Sequence, residues 1–207
     1  MTRGIETLAS DLRERAHGQD RFIIAIAGPP GAGKSTFSDA LFAALDRREP
    51  GSAVVVPMDG YHFDNIVLGE RGLLARKGAP ETFNVSGLAC DLGRIRAGGG
   101  EVAVPVFDRA LDLARGNARF VRPAHRLVLV EGNYLLLDAP PWNALAPLFD
   151  LTLMLRVPEA ELRRRLVERW LTHGLDASAA LTRAEENDIA NAHLVLAGSR
   201  PADIAWG

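Results

Sequence analysis

The sequence has almost no cysteine and almost no lysine. One cysteine in 207 residues, Cys90, excludes an internal disulfide and a zinc site built on thiolates. Its place between Leu88 and Leu92 in an apolar helical pattern makes it an expected buried, inert side chain. A reducing cytoplasm fits that usage. No apolar run approaches the eighteen or so residues of a membrane-spanning helix, and the opening stretch MTRGIETLASDLRER is charged and amphipathic rather than an apolar export signal. The chain is therefore expected to be cytoplasmic, without membrane insertion. Its net charge is -2, with no dense run of Lys and Arg and no basic patch interleaved with aromatics, so the electrostatic footprint of a nucleic-acid binder is missing. Small anionic ligands stay open. Only two lysines, Lys34 and Lys77, stand against twenty-two arginines; where arginine would serve, this chain uses arginine.

One of those lysines sits in the most informative segment. Gly28, Pro29, Pro30, Gly31, Ala32, Gly33, Lys34 and Ser35 read GPPGAGKS, a full match to GxxxxGKS. The segment follows the apolar run Phe22 to Ala27 and leads into a helical pattern, with the next residue, Thr36, counted among the nucleotide-binding positions. Such a P-loop lets consecutive backbone N–H groups point at phosphate oxygens, while Lys34 adds a mobile positive charge and the Ser35 hydroxyl can ligate Mg²⁺. A nucleotide, expected as ATP with Mg²⁺, is the ligand this segment implies.

With 47% hydrophobic residues the chain is long enough for one sizeable core and short for two, so one domain over residues 1–207 is expected. Five short apolar segments lack the alternation of half-exposed strands: Phe22 to Ala27, Ala53 to Pro57, Leu127 to Val130, Leu151 to Leu155 and His193 to Leu196. Helices are expected over Ile5 to Ala16, Lys34 to Arg47, Ser86 to Ala97, Glu159 to His173 and Thr182 to Asn191, the last opened by a Thr182–Glu185 capping box. This alternation reads as a doubly wound α/β fold with a five-stranded parallel sheet and helices on both faces. The stretch 58–126 is more than the alternation needs and is expected to be a substrate-binding insertion. Within it Glu101 to Phe107 and Arg119 to Val121 suggest a two-stranded excursion, with Pro105 forbidding a central strand.

Several acidic and basic positions carry the expected chemistry. Asp59 follows the second buried segment at once, at the sheet edge where ligands bind in open α/β folds, so it can accept a proton from an attacking hydroxyl, join the Mg²⁺ shell, or do both. The competing reading is an Asx-turn before Gly60. Glu131 closes the third segment, where an acid orients Mg²⁺ directly or through water. The helix from Glu159 carries Arg163, Arg164, Arg165 and Arg169; Arg165 and Arg169 share a face and are candidates to close over a transferring phosphoryl group as part of a lid spanning 157–178. The plain alternative is a solvated face, Glu161 with Arg165 and Arg164 with Glu168. His62, Asp108 and Arg109 are candidate acceptor ligands, although Asp108 and Arg109 could equally pair with each other. GSRPAD, 198–203, offers backbone contacts to an adenine or is an ordinary loop.

These residues resemble a known group, the P-loop kinases that include uridine kinase, phosphoribulokinase and bacterial type I pantothenate kinase. The resemblance rests on GPPGAGKS, MDGYHF, GERGLLARKGAPETFN, PVFDR, VEGNYLL and RRRLVERW, which span nearly the whole chain in order. RKGAPETFN, EGNYLLLDAPPW and NDIANA are similar to small bacterial proteins named as fructose transport system kinases. The resemblance implies a P-loop NTPase fold, Lys34 and Ser35 on phosphates and Mg²⁺, Asp59 as catalytic base, Glu131 in the metal site and Arg169 on phosphate. It also implies transfer of the γ-phosphoryl of ATP to a small-molecule hydroxyl acceptor, a sugar such as fructose first, with pantothenate or a nucleoside as alternatives. Uridine kinases read Asp-His-Pro where this chain has Gly78, Ala79 and Pro80, and pantothenate kinases read Tyr-Ser-His where it has Phe107, Asp108 and Arg109. A regulatory P-loop NTPase is the alternative from another class; a GTPase is excluded because no NKxD motif exists.

Overall fold

The computed structural model describes residues 4–207; the first three residues of the amphipathic opening stretch lie outside them. Five strands form one parallel sheet in the order β2-β5-β1-β6-β7: β1 (Phe22–Ala27), β2 (Ala53–Pro57), β5 (Leu127–Gly132), β6 (Leu151–Leu155) and β7 (Ile204–Trp206). β1 and β5 are buried along their whole length, because both sheet faces are covered. On one face Ile23, Ala25, Val54, Val56, Val128 and Val130 pack with Leu88 and Leu92 of helix α4 (Val85–Ala97). On the other, Ile24, Ile26, Leu129 and Leu153 pack with Leu8 and Leu12 of α1 (Ile5–Arg15) and Leu41 and Leu45 of α2 (Lys34–Asp46). Successive residues of each strand thus feed opposite cores, so uninterrupted apolar runs are what this sheet demands.

Between β2 and β5 the chain leaves the sheet. A short 3₁₀ turn, Met58–Tyr61, leads to helix α3 (Asn65–Glu70), then α4, then an antiparallel hairpin of β3 (Val102–Asp108) and β4 (Leu113–Val121). The hairpin register slips between Val104 and Val106. Pro105, which has no N–H to give the ladder, sits at that slip. After β6 come α5 (Glu159–Thr172), α6 (Ala177–Arg183), a π-helical segment Ala184–Ile189, and α7 (Ala190–Gly198). Among the described residues no helix is long and apolar enough to cross a membrane.

Three expectations are corrected. His193 to Leu196 is helical, part of α7, with Val195 buried and Leu194 and Leu196 exposed. The fifth strand is instead Ile204–Trp206, an edge strand fixed by Asp203, whose carboxylate accepts from Thr152 N at 2.8 Å and Thr152 Oγ1 at 2.6 Å. Thr182 and Glu185 form no capping box. Helix α6 is capped by Asp176, whose side chain accepts from Ala179 N at 2.9 Å, and Glu185 reaches Arg163 at 2.5 Å. Cys90 is exposed, on the opposite side of α4 from buried Leu88 and Leu92.

Candidate active site

The P-loop joins β1 to α2. Gly31 and Gly33 adopt left-handed backbone angles, φ 79° and 84°, which residues with a β-carbon rarely take. A β-carbon at Gly31 would also meet Leu166 Cγ of α5 at 3.1 Å. Gly33 caps α2, so the first turn of a thirteen-residue helix, with Lys34 and Ser35, opens toward the loop. The helix dipole and unsatisfied N–H groups there favour an anion.

A cavity of about 320 Å³ lies before this loop, lined by Pro30, Gly31, Gly33, Lys34, Ser35 and Thr36 on the P-loop side. Asp59, His62, Arg109, Glu131 and Arg169 face the same space. Gly28, Pro29 and Ala32 lie behind the wall; Pro29 contributes its carbonyl, which accepts from Lys34 Nζ at 3.1 Å. Glu131 is 7% exposed. Burial, helped by the Asp59 charge and opposed by Lys34, raises its carboxyl to about 7. Burial likewise pushes the Lys34 ammonium below its ordinary range, against the pull of Glu131 and Asp59.

His62 is held between rings, its centroid 3.9 Å from that of Phe83 and 5.1 Å from that of Phe107. Its Nδ1 lies 2.9 Å from the Asp59 carbonyl oxygen. A carbonyl only accepts, so Nδ1 carries the proton and Nε2 is left as an acceptor. Burial holds this imidazole below its usual pKa, in keeping with a neutral ring. Arg109 Nη2 lies 2.9 Å from Asp59 Oδ2.

Two expected residues take other places. Asp108 does not line the cavity; its carboxylate accepts from Ala110 N at 3.1 Å and Leu111 N at 3.2 Å and lies 3.5 Å from Arg115, so it shapes the hairpin turn and is not paired with Arg109. Arg165 lies outside the cavity lining, donating to Glu161 at 2.7 Å and to the Gly31 carbonyl at 3.2 Å. The local pairing expected as the alternative is present for it and for Arg164, which bonds Glu161 and Glu168. Arg169 alone of the four α5 arginines faces the cavity, its guanidinium carbon 5.3 Å from the Trp170 ring centroid.

Several cavity residues escaped the sequence reading. Lys77 donates to Asn65 Oδ1 and the Asp112 carbonyl, each at 2.7 Å, and pairs with Asp112 Oδ2 at 2.9 Å. Its rarity was the signal, since the only other lysine is in the P-loop. Asp188 in the π-helical segment accepts from Trp170 Nε1 at 2.6 Å. Asn191, the second residue of α7, is 2% exposed and lines the cavity. Asp188 lies in the wide helical turn and Asn191 follows it in α7; both belong to the segment NDIANA, whose spacing did not announce the turn, and such π turns recur at functional sites.

A glycine-shaped loop on a helix N-terminus, facing two carboxylates across a polar cavity, defines a nucleotide-binding phosphotransferase of the P-loop class. No protein-family profile matches the chain, but individual proteins do. The crystal structure of a "putative fructose transport system kinase" from Silicibacter sp. TM1040 is 45% identical with a TM-score of 0.92, covering 99% of both chains. A "putative uridine kinase" of Schizosaccharomyces pombe is 35% identical over 186 residues, 84% of this chain and 77% of that protein. The pantothenate kinase of Myxococcus xanthus is 38% identical over 157 residues, 72% of this chain and 50% of that protein. The chain belongs to the P-loop kinases, in the group that contains uridine kinases and bacterial pantothenate kinases. It is an ATP-dependent phosphotransferase with an alcohol group as acceptor.

Proposed function

We propose that the enzyme transfers the γ-phosphoryl group of ATP to a hydroxyl of a small polyhydroxylated metabolite, with a sugar such as fructose as the first candidate. The observation that carries this reading is the placement of Asp59 and the P-loop residues Lys34 and Ser35 on one cavity of about 320 Å³. Asp59 takes the proton of the acceptor hydroxyl; the oxygen so freed attacks the γ-phosphorus as the bond to the bridging oxygen breaks and ADP leaves. The backbone from Gly28 to Thr36 and Lys34 hold the phosphates, and Arg169 stabilises charge on the transferring group, with Arg165 steadying the loop through Gly31. Residues 157–178 form the lid and 58–126 the acceptor-binding insertion of a single domain.

The oxygen donors suit Mg²⁺. Ser35, Asp59 and Glu131 supply hard ligands to one space, and no set of three or more His, Cys, Asp or Glu among the described residues forms a cage. An ion that keeps several waters and takes phosphate oxygens needs no more than this. When bound, Mg²⁺ neutralises phosphate charge, and Glu131 must be ionised to assist it.

The cavity wall away from the P-loop is polar and aromatic, with His62 Nε2 and the Asn191 side chain facing the space an acceptor's hydroxyl groups would occupy. Such a lining suits a polyol better than a flat base. The relatives support pantothenate and nucleosides equally, so the deciding experiment is kcat/KM over fructose, ribose, glycerate, pantothenate, uridine and cytidine. A higher value for pantothenate or a nucleoside than for every sugar tested overturns the sugar assignment. ATP turnover indifferent to every acceptor would favour a regulatory NTPase.

A further inference from the structure

The carboxylate proposed to receive the acceptor's proton is already occupied. Arg109 and Asp59 meet at 2.9 Å from two separate elements, Asp59 from the turn after β2 and Arg109 from the tip of the β3–β4 hairpin. The Arg109 side chain is 60% exposed, so its packing does not force it onto Asp59. Its guanidinium makes this one bond and lies 5.9 Å from the Phe107 ring centroid. While the bond stands, one of the two oxygens through which Asp59 works is taken, and the mouth on the acceptor side is crossed by a positive charge.

Three of the neighbouring cations have partners of their own, and the fourth, Arg169, stands on a different element. Lys77 is held by Asn65 and Asp112, Lys34 belongs to the phosphate loop, and Arg165 is bonded to Glu161 and Gly31. Arg169 approaches from α5 on the P-loop side of the cavity. Arg109 is therefore the cation of the acceptor wall whose one ion pair among the described residues is with the proposed base. An exposed ion pair is weak, whereas a bidentate bond from arginine to a carboxylate or phosphate inside a partly closed cavity is strong. A neutral polyol has nothing with which to compete for the guanidinium; an anion does.

We infer that Arg109 reads a carboxylate or phosphate ester on the acceptor, and that its bond to Asp59 is a resting latch which that anionic group releases. The acceptor class is thereby narrowed from a polyol to a polyol that carries a negative charge. The inference rests on the phosphoryl-transfer reading above and goes beyond it. Binding of the anion and freeing of the base become one event, so discrimination against neutral analogues falls on kcat as well as KM.

The test uses the full chain with ATP and Mg²⁺ and acceptor pairs that differ in charge: glycerate with glycerol, gluconate with sorbitol, fructose 6-phosphate with fructose. Wild type is expected to favour the charged member of at least one pair by tenfold or more in kcat/KM, and the carboxylate and phosphate arms tell which anion is read. Arg109→Gln keeps a hydrogen-bond donor but not the charge, and is expected to lower kcat/KM at least tenfold more for the charged member than for the neutral one. A second readout needs no acceptor. With the latch removed, hydrolysis of ATP by water should rise severalfold in Arg109→Gln and return to the wild-type level or below in Asp59→Asn/Arg109→Gln, with thermal melting showing both variants folded. The inference is overturned if neutral members are used as well as charged ones in every pair, if Arg109→Gln lowers both members equally, or if acceptor-free hydrolysis does not rise. Efficient use of neutral sugars alone would leave the kinase reading intact while removing this one; absence of transfer to any acceptor would remove both.

Discussion

Gly60 follows the proposed base and has no room for a side chain. A β-carbon built there falls 2.4 Å from the carbonyl oxygen of Pro105 and 2.7 Å from its carbon, with Val106 N at 3.0 Å. All three are backbone atoms of the slipped hairpin, so no rotamer change relieves the contact. Restoring an ordinary carbon–oxygen separation of about 3.3 Å requires roughly 1 Å of movement between the Asp59 turn and the hairpin. Overpacking of this kind costs about 1 to 3 kcal/mol. In a chain of this length each 1 kcal/mol lowers the melting temperature by roughly 2 to 4 °C. The larger consequence is kinetic, because the hairpin carries Arg109 and Phe107 and the turn carries Asp59 and His62; a shift of about 1 Å in reacting geometry costs on the order of 10² in rate. Gly60→Ala is therefore expected to lower kcat/KM for the acceptor about a hundredfold while ATP affinity stays within a few fold, since the P-loop stands on β1 and α2. Gly93→Ala in α4, where a β-carbon meets nothing within 4 Å, is the control and should leave stability unchanged or raise it by about 0.5 to 1 kcal/mol. Calorimetry and steady-state kinetics on both variants check the pair. Wild-type acceptor kinetics in Gly60→Ala, or a loss confined to ATP binding, would refute the reasoning.

Lys34→Ala should abolish most phosphoryl transfer and weaken ATP binding in a calorimetric titration, as Lys77, the other lysine, is held by Asp112. Arg169→Ala should reduce kcat more than ATP affinity, while Arg164→Ala, whose side chain is bound to Glu161 and Glu168, should leave both near wild type; equal losses would show that the cavity-facing side of α5 is misassigned. The Glu131 carboxyl is raised to about 7 from an ordinary 4.5, so between those values the folded protein holds a proton that the unfolded chain has released. Stability in the absence of Mg²⁺ should accordingly fall as pH rises from about 4.5 to 7, by up to ~3 kcal/mol, and Glu131→Gln should flatten that slope in denaturant titrations at fixed pH.

How much of this was legible in the sequence depends on where the information is stored. The strands β1, β2, β5 and β6 and the P-loop are local: uninterrupted apolar runs and a fixed pattern of glycines dictate them, and they were read to within a residue or two. His193 to Leu196 failed because a four-residue apolar run has no period long enough to separate strand from buried helix. The true edge strand, Ile204–Trp206, is three residues long and owes its place to Asp203 bonding Thr152, a tertiary contact. Pro105 correctly argued against a regular central strand, though not for the hairpin slip it produces. That Asp59 and Glu131 line the cavity was legible because strand ends in such sheets face the ligand crevice. Asp108 was misjudged because an Asp beside a turn bonds its own backbone as readily as a ligand. Asp188 and Asn191 were missed because a π-helical turn, which holds Asp188 and precedes Asn191, breaks the ordinary helical spacing there.

The most direct test of the central claim is a stoichiometry. ATP, Mg²⁺ and each acceptor of the panel are incubated with wild type and with Asp59→Asn, and ADP and phosphorylated acceptor are quantified together by mass spectrometry. The expected result is one phosphorylated acceptor per ADP for at least one small polyhydroxylated compound, with transfer lowered roughly 10² to 10⁴-fold in Asp59→Asn while ATP binding stays within a few fold. ADP formed at the same rate with and without every acceptor, or transfer undiminished in Asp59→Asn, would contradict it.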